Sequence, residues 1–327
     1  MTKPISISIA LAVRNGANYL REALDSIRAQ TFSDFEVVIS DNASTDQTPD
    51  ICQEYARGDR RIKVSRSDRL LEQATNFNRV VSLCSGEWVK LFCHDDLMAP
   101  ECMGRMAEAI ATTPASVGLV ANGEAWLFLN GHVEPVPPSK PPHLRSGPDL
   151  LCAYLAGDTS VYLPALTPAT IRKSAWEAVG GFDARFVHFD VFCWVRLLHK
   201  WNYLFVPETL TTSRIHGSQV AVAVRNSMRS VSDHRLFWGE FVSQYSDELN
   251  LDWRLRRRLL LKCFGVAGAS VALPLIRKNF AEAVRIFGSM PAAWWPILPA
   301  FIARSYVFER RRTACLRSHV PVEMIYP

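Results

Sequence analysis

The chain has 327 residues, of which 48% are hydrophobic and 21% charged, and its formal net charge is +5. This composition excludes a disordered or fibrous chain and predicts a globular protein with one large domain and an appendage, or with two domains. From Arg225 to the end, 16 Lys and Arg face 8 Asp and Glu, so a basic tail follows a mildly acidic body and suits a polyanionic partner such as membrane lipid or nucleic acid.

The first half of the chain alternates apolar runs of strand period with stretches of helical spacing. Five strands are predicted, at residues 5–13, 36–40, 61–65, 87–93 and 117–128. Helices are predicted between them, at residues 19–27, 44–55 and 72–85 and from Pro100 onward. Residues 44–47 form a predicted capping box. Because residues 5–13 alternate with strand period, they do not read as a signal peptide. The pattern favours an α/β fold with a doubly wound, mostly parallel sheet.

The second half begins with a proline-rich stretch, residues 133–148, which holds six prolines and is predicted to be a loop. A helix is predicted over residues 171–179, ending at Gly180-Gly181. Another helix is predicted over 189–200, followed by strand-like segments up to His216. From Arg225 onward the pattern is helical, basic and rich in tryptophan.

Polar side chains follow three of the predicted strands where each strand ends. They are Arg14 and Asn15 after the first strand, Asp41 and Asn42 after the second, and Asp95 and Asp96 after the strand at 87–93. In open α/β sheets, ligands bind beyond the carboxyl ends of the strands. Turns favour Asp and Asn in any protein, but three such ends in register with strands indicate a binding site on one edge of the sheet.

The adjacent Asp95 and Asp96 repel each other unless a cation lies beside them. Mg²⁺ or Mn²⁺ would suit this pair, because these hard ions prefer carboxylate oxygens and bridge to substrate phosphates. The alternative is that one aspartate caps the following helix. The spacing alone leaves both interpretations open.

At these residues the sequence resembles the family 2 glycosyltransferases, which have the GT-A fold. The resemblance covers residues 4–220 and rests on the order and spacing of its motifs. The matching stretches are residues 7–46, 76–79, 85–91, 94–96, 180–183, 190, 194–197 and 214–217. It implies an inverting, metal-dependent enzyme that moves a sugar from a nucleotide-diphosphate donor to a saccharide or lipid-linked acceptor in cell-surface polysaccharide synthesis.

The resemblance also implies a role for individual residues. The nucleotide-sugar site would comprise Ala12, Arg14, Asn15, Asp41, Asn42, Arg69, Asn78 and Asp95. Asp96 and His216 would hold Mg²⁺ or Mn²⁺, and Asp190 would be the catalytic base. The chain departs from the family at Ala12 and Arg14, where Pro and Tyr are common, and at Phe189, where Glu often precedes the base.

Asp190 and His216 each have a structural alternative. Asp190 stands at the start of a predicted helix and could cap it. His216 could be an ordinary loop histidine. If Asp190 is the base, it takes the proton of the acceptor hydroxyl as that hydroxyl attacks the anomeric carbon, and such help is worth roughly 10²–10⁴-fold in rate.

We expect residues 1–220 to form the catalytic domain and residues 225–327 a basic helical C-terminal region. Within it, residues 290–308 are apolar and hold Trp294 and Trp295, but prolines interrupt them, so a membrane crossing is not expected. Tryptophans beside a basic cluster suit an interfacial helix on an anionic leaflet. A helical subdomain that packs on the catalytic domain is the equal alternative.

The eight cysteines show no C-x-x-C pair and no metal-binding spacing, which favours buried thiols in a reducing compartment. We therefore expect a cytoplasmic protein, or one peripheral on the inner face of the membrane. No nucleic-acid partner is expected, because no recognition motif accompanies the basic tail.

Two other functions compete with glycosyl transfer. A sugar nucleotidyltransferase would need a glycine-rich loop after the first strand, and Arg14-Asn15-Gly16 lacks the repeated glycines. A non-catalytic binding protein on the same fold would be favoured by loss of Asp95-Asp96 or Asp190, and these residues are present.

Overall fold

Two units make up the chain in the computed structural model, which describes residues 6–136, 144–156, 158, 161, 163–216 and 228–245. The first unit comprises residues 1–185 and 189–216, and the second comprises residues 186–188 and 217–327. The first unit holds the sheet and the residues at the strand ends.

A ten-stranded sheet forms the centre of the first unit, counted over the described residues. Its strands are β1 (Ile7–Val13), β2 (Phe35–Asp41), β3 (Ile62–Arg66), β4 (Trp88–Cys93), β5 (Leu97–Met98), β6 (Val117–Phe128), β7 (Val133–Pro135), β8 (Leu144–Arg145), β9 (Ala169–Arg172) and β10 (Asn202–Ile215). The order is β3-β2-β1-β4-β9-β6-β10-β5, with β7 on β6 and β8 on β10. Neighbours β3, β2, β1 and β4 are parallel, as are β6 and β10. The predicted α/β class with a mostly parallel sheet is confirmed.

Seven helices of the first unit lie among the described residues. They are α1 (Leu20–Arg28), α2 (Thr48–Gly58), α3 (Gln73–Leu83), α4 (Cys102–Ala111), α5 (Gly147–Ala156), α6 (Lys173–Ala178) and α7 (Phe189–Leu198). Leu20, Leu24 and Ile27 recur at helical spacing and are fully buried. With Ile9 and Leu11 of β1 they belong to one hydrophobic core, because a helix with one apolar stripe must bury it against the sheet.

The predicted helix over residues 171–179 is wrong at its start. Ile171 belongs to β9, which runs antiparallel to both β4 and β6 and pairs with Val89 and Leu119. The short run from Ala169 is buried on both sides, and such a run does not distinguish strand from helix by periodicity. The predicted glycine terminator is confirmed, because Gly180 and Gly181 have φ of +78° and +70°, values that favour glycine.

The predicted capping box at residues 44–47 is also wrong. The helix α2 begins at Thr48 and its capping residue makes no side-chain hydrogen bond. Ser44 instead accepts a hydrogen bond of 2.9 Å from the Asn15 amide, and Asp46 accepts one of 3.0 Å from the Thr48 amide. The polar residues before α2 therefore tie it to the loop after β1.

The proline-rich stretch is not wholly a loop. It contains β7 and β8 and the first two residues of α5, Gly147 and Pro148. Pro135 pairs with Ala125 at a strand end, where a missing donor is tolerated. Residues 137–143 lie outside the described part. After Pro100 the helix begins two residues later than predicted, at Cys102.

The second unit is described at residues 186–188 and at α8 (Met228–Tyr245). Asp233 accepts a hydrogen bond of 2.8 Å from the Val187 amide, and the rings of Phe186 and Phe237 lie 5.7 Å apart. Across the described residues, no helix has the length and apolar character that a membrane crossing needs. The stretch 290–308 and the basic tail beyond α8 lie outside the described residues.

Candidate active site

Asp41 ends β2 and presents a buried carboxylate at the carboxyl edge of the sheet. The residue is 1% exposed. Its Oδ1 accepts a hydrogen bond of 3.1 Å from the Ser44 amide. Its Oδ2 lies 3.3 Å from Nε of Arg66, yet it has no hydrogen-bond partner among the described residues. A buried acceptor without a hydrogen bond costs free energy, so it indicates a place for a donor group from a ligand.

The loop after β1 is held by its own polar side chains. Asn15 has φ of +48°, and its side-chain oxygen accepts a hydrogen bond of 2.9 Å from the Thr45 amide. A Cβ added at Gly16 would overlap the ring of His94. The loops after β1 and β4 therefore press together, and a larger residue at Gly16 would separate them.

Three other residues that were predicted to bind the nucleotide, Asn42, Ala12 and Arg14, differ in their burial and in their contacts. Asn42 donates to the Leu71 carbonyl at 2.9 Å and accepts from the Leu71 amide at 2.8 Å. Ala12 is buried in β1, paired with Ser40 and Cys93. Arg14 is exposed, with Nη1 3.5 Å from the Asn42 carbonyl.

The described hydrogen bonds of Arg69 and Asn78 go to residues other than Asp41. Arg69 is exposed, and its main chain contacts Ser67. Asn78 donates to the Phe182 carbonyl at 2.7 Å and accepts from its amide at 2.9 Å. Arg66, rather than Arg69, is the arginine beside Asp41.

Asp95 and His216 bring the ends of β4 and β10 together. Nε2 of His216 lies 3.0 Å from Oδ2 of Asp95. Nε of Arg214 donates to the Asp95 carbonyl at 3.0 Å, and its guanidinium lies 4.7 Å over the ring of Tyr19. The side chain of Asp95 is 15% exposed and that of His216 is 8% exposed, so Asp95 is the more accessible member of the pair.

Asp96 lies deeper than Asp95 and has a partner for each oxygen. Its Oδ1 accepts a hydrogen bond of 2.9 Å from the Arg214 amide. Its Oδ2 accepts a short hydrogen bond from the Thr167 hydroxyl. Burial, together with the charge of Asp95, raises the pKa of Asp96 above its usual range. Its contacts are those of a carboxylate that the protein holds in place.

Asp190 lies in the first turn of α7 and is half-buried. Burial raises its pKa, against the opposing effect of main-chain hydrogen bonds from Val191 and its own amide. Its charge adds to the effects that raise the pKa of Cys93 and of Tyr154. Asp190 is therefore within electrostatic reach of the strand end that carries Asp95.

Two residues of this region were not singled out from the sequence, Lys90 and Thr167. Lys90 is fully buried in β4, and burial lowers its pKa to about 8. It is the one charged residue in the apolar run of β4, which was an available signal. Thr167 has no pattern that marks it, because its role depends on contacts distant in sequence.

The residues at the end of β4 fit a divalent cation. One ligand atom each from Cys93, Asp95 and Asp96 lies within 4.8 Å of the others. Nε2 of His216 is hydrogen-bonded to the same Asp95 carboxylate. Carboxylate oxygens suit Mg²⁺ and Mn²⁺, and imidazole is a common ligand of transition metals.

The family model and the relatives that this sequence resembles are all described as glycosyltransferases. Residues 8–141 match the family described as glycosyl transferase family 2. An uncharacterised glycosyltransferase of Rickettsia typhi is 23% identical over 244 residues, 74% of this chain and 73% of the relative. The putative glycosyltransferase EpsH of Bacillus subtilis is 33% identical over 96 residues, 29% of this chain and 28% of the relative.

Solved structures share the fold at low sequence identity. TarS of S. aureus, residues 1–349 in complex with UDP-GlcNAc, has a TM-score of 0.61 and 16% identity, covering 95% of this chain and 92% of that one. The mannosyltransferase PcManGT of Pyrobaculum calidifontis, in complex with GDP-Man and Mn²⁺, has a TM-score of 0.58 and 17% identity. The match covers 94% of this chain and 87% of the PcManGT chain.

Proposed function

We propose that this chain, whose residues 8–141 match glycosyl transferase family 2, moves a sugar from a nucleoside-diphosphate donor to a hydroxyl of a saccharide or lipid-linked acceptor. The transfer is a single displacement with inversion at the anomeric carbon. The observation that carries this proposal is the Asp95–His216 pair, 3.0 Å apart, on the same sheet edge as the buried Asp41.

Asp41 is proposed to recognise the nucleotide base. Its buried Oδ2 has no hydrogen bond among the described residues, so an N–H of a base would satisfy it. Val13 of β1 pairs with Asp41, and Ala12 pairs with Cys93. Asp41 and Asp95 therefore flank the end of β1, and the proposed nucleotide spans this end. The comparisons support such a donor, since the solved relatives bind UDP-GlcNAc and GDP-Man.

Asp95 and His216 are proposed as the residues that would hold Mg²⁺ or Mn²⁺, with Asp96 as the carboxylate that fixes the turn. This gives Asp95 the larger part in metal binding, because both oxygens of Asp96 already have protein donors. When bound, a divalent cation offsets the charge that develops on the departing diphosphate. The Mn²⁺ in the PcManGT structure supports this proposal.

Asp190 is proposed as the general base that takes the proton from the acceptor hydroxyl. A base works best when its pKa approaches the operating pH, and burial moves the pKa of Asp190 in that direction. The bond from the acceptor oxygen to the anomeric carbon forms as the bond to the diphosphate oxygen breaks. The proton moves to the Asp190 carboxylate.

Cell-surface polysaccharide assembly is the proposed setting, and a peripheral place on an anionic membrane is proposed for the basic C-terminal region. Sixteen Lys and Arg against eight Asp and Glu after Val224 support it. Sedimentation of the full chain with anionic and with neutral vesicles tests this part. Equal recovery with both kinds would contradict it.

The donor is found by screening nucleotide-sugars for thermal stabilisation with and without Mn²⁺, followed by assay of nucleoside diphosphate release with the best donor. The proposal predicts that at least one donor stabilises the protein more strongly with Mn²⁺ and yields nucleoside diphosphate. Formation of pyrophosphate from a nucleoside triphosphate and a sugar phosphate would instead identify a nucleotidyltransferase. Binding without any release would identify a non-catalytic protein.

A further inference from the structure

Thr167 joins the end of β4 to the segment before β9. Its hydroxyl donates the short hydrogen bond to Oδ2 of Asp96 and accepts one of 3.2 Å from the Cys93 amide. The residue is 1% exposed. One hydroxyl therefore contacts the chain on both sides of Asp95, at Cys93 at the end of β4 and at Asp96 in the turn that follows.

Lys90 holds the main chain of Thr167 in place. Its Nζ donates to the Thr167 carbonyl at 2.5 Å and to Oδ1 of Asn122 at 2.8 Å. Asn122 in turn donates to the Thr211 hydroxyl in β10 at 2.9 Å. A buried ammonium with these acceptors fixes the distance between β4, β6 and β10 below the carboxyl edge, because leaving any partner unpaired there is costly.

The same segment holds the helix of the proposed base. The Trp194 indole, one helical turn after Asp190, donates to the Pro164 carbonyl at 2.8 Å. Residues 164 and 167 are thus attached to α7 at one end and to the turn of Asp95 and Asp96 at the other. The segment links the proposed base to the proposed metal ligands.

We propose that Thr167 is a positioning residue of the donor site, which holds the turn that carries Asp95 through its hydrogen bonds to Asp96 and Cys93. This inference rests on the proposed function, because it assigns Asp95 to the metal. Thr167 itself contacts neither metal nor substrate. Residues that orient metal ligands in this way are typically worth about 10- to 100-fold in metal affinity or activity.

The test is the affinity for Mn²⁺ without donor, measured from the free-ion signal in electron paramagnetic resonance titrations. Thr167→Val removes the hydroxyl and keeps the shape, and should weaken Mn²⁺ binding by about 10- to 100-fold. Thr167→Ser keeps the hydroxyl and should bind nearly as tightly as the wild type. Thr170→Val is the matched control, because Thr170 is equally buried but its hydroxyl faces the sulfur of Met106 at 3.7 Å.

Thermal unfolding midpoints of all variants separate positioning from loss of fold. If Thr167→Val does not fold, Thr167→Ala replaces it and carries the same prediction. Unchanged Mn²⁺ affinity in the folded variant, or equal weakening in Thr170→Val, overturns the inference while the proposed function stands. A wild-type protein that binds no Mn²⁺ overturns the metal centre of the proposed function, and this inference with it.

Discussion

Nε2 of His216 lies 3.0 Å from Oδ2 of Asp95, although 121 residues separate them in the chain. The two-residue strand β5 explains this approach. It follows Asp96 directly and pairs antiparallel with β10, Leu97 opposite Thr212 and Met98 opposite Thr211. The turn before β5 must therefore face the end of β10, where Arg214 and His216 stand. The metal site proposed here depends on that pairing.

Removing either member of the Asp95–His216 pair should weaken binding of a divalent cation. We expect Asp95→Asn and His216→Ala each to raise the dissociation constant for Mn²⁺ by at least about tenfold, since each loses a ligand or its orienting partner. Titration of Mn²⁺ by electron paramagnetic resonance gives the affinities. The matched control is Asp183→Asn, because Asp183 pairs with Arg185 in a surface turn. Comparable loss in the control would contradict a specific site.

Replacing the proposed base should affect turnover and not donor binding. Asp190→Asn keeps the size of the side chain and removes its basicity, so kcat should fall by roughly 10²–10⁴-fold. The donor dissociation constant should change little, because the proposed nucleotide contacts lie at Asp41. Steady-state kinetics and calorimetric titration of the donor provide the two values. A variant with near-normal kcat would assign Asp190 to helix capping instead.

Glu36 should make the fold sensitive to acid. Burial alone would raise its pKa, but hydrogen bonds from Lys63, Ser8 and Ser85 lower it from 4.5 to about 2. Because the folded state holds the proton less tightly, this stabilisation is complete above pH 4.5 and is lost as the pH falls toward 2. Glu36→Gln should therefore lower the free energy of unfolding at neutral pH. The difference in free energy of unfolding between this variant and the wild type should become smaller in acid. Urea unfolding of both proteins between neutral pH and acid measures this difference. A difference that does not change with pH would contradict the proposed role of Glu36.

The sequence predicted the strands that end at the candidate site because their apolar runs are local and regular. Ile7–Val13, Phe35–Asp41 and Trp88–Cys93 differ from the predicted bounds by two residues at most. Parallel strands place their carboxyl ends together, so Asp41 and Asp95 could be assigned to one edge without a structure.

Contacts between distant segments could not be predicted in this way. The strand β9 lies between β4 and β6 and runs against both, and nothing local to its four residues fixes that partner. The different surroundings of Asp95 and Asp96 also depend on Thr167 and Arg214, which are distant in sequence from both. The periodicity of a sequence indicates which residues of one segment are buried. The position of β9 and the contacts of Asp96 depend instead on which distant segments pair with each other.

Proton NMR of the reaction with the best donor shows whether a sugar leaves its nucleoside diphosphate with inversion at the anomeric carbon. Water can replace the acceptor slowly, so the first sugar released reports the side of attack before its anomers equilibrate. We expect nucleoside diphosphate together with a sugar of the anomeric configuration opposite to that of the donor. Release of the sugar with the donor's own configuration, or no cleavage of any nucleotide-sugar, would contradict it.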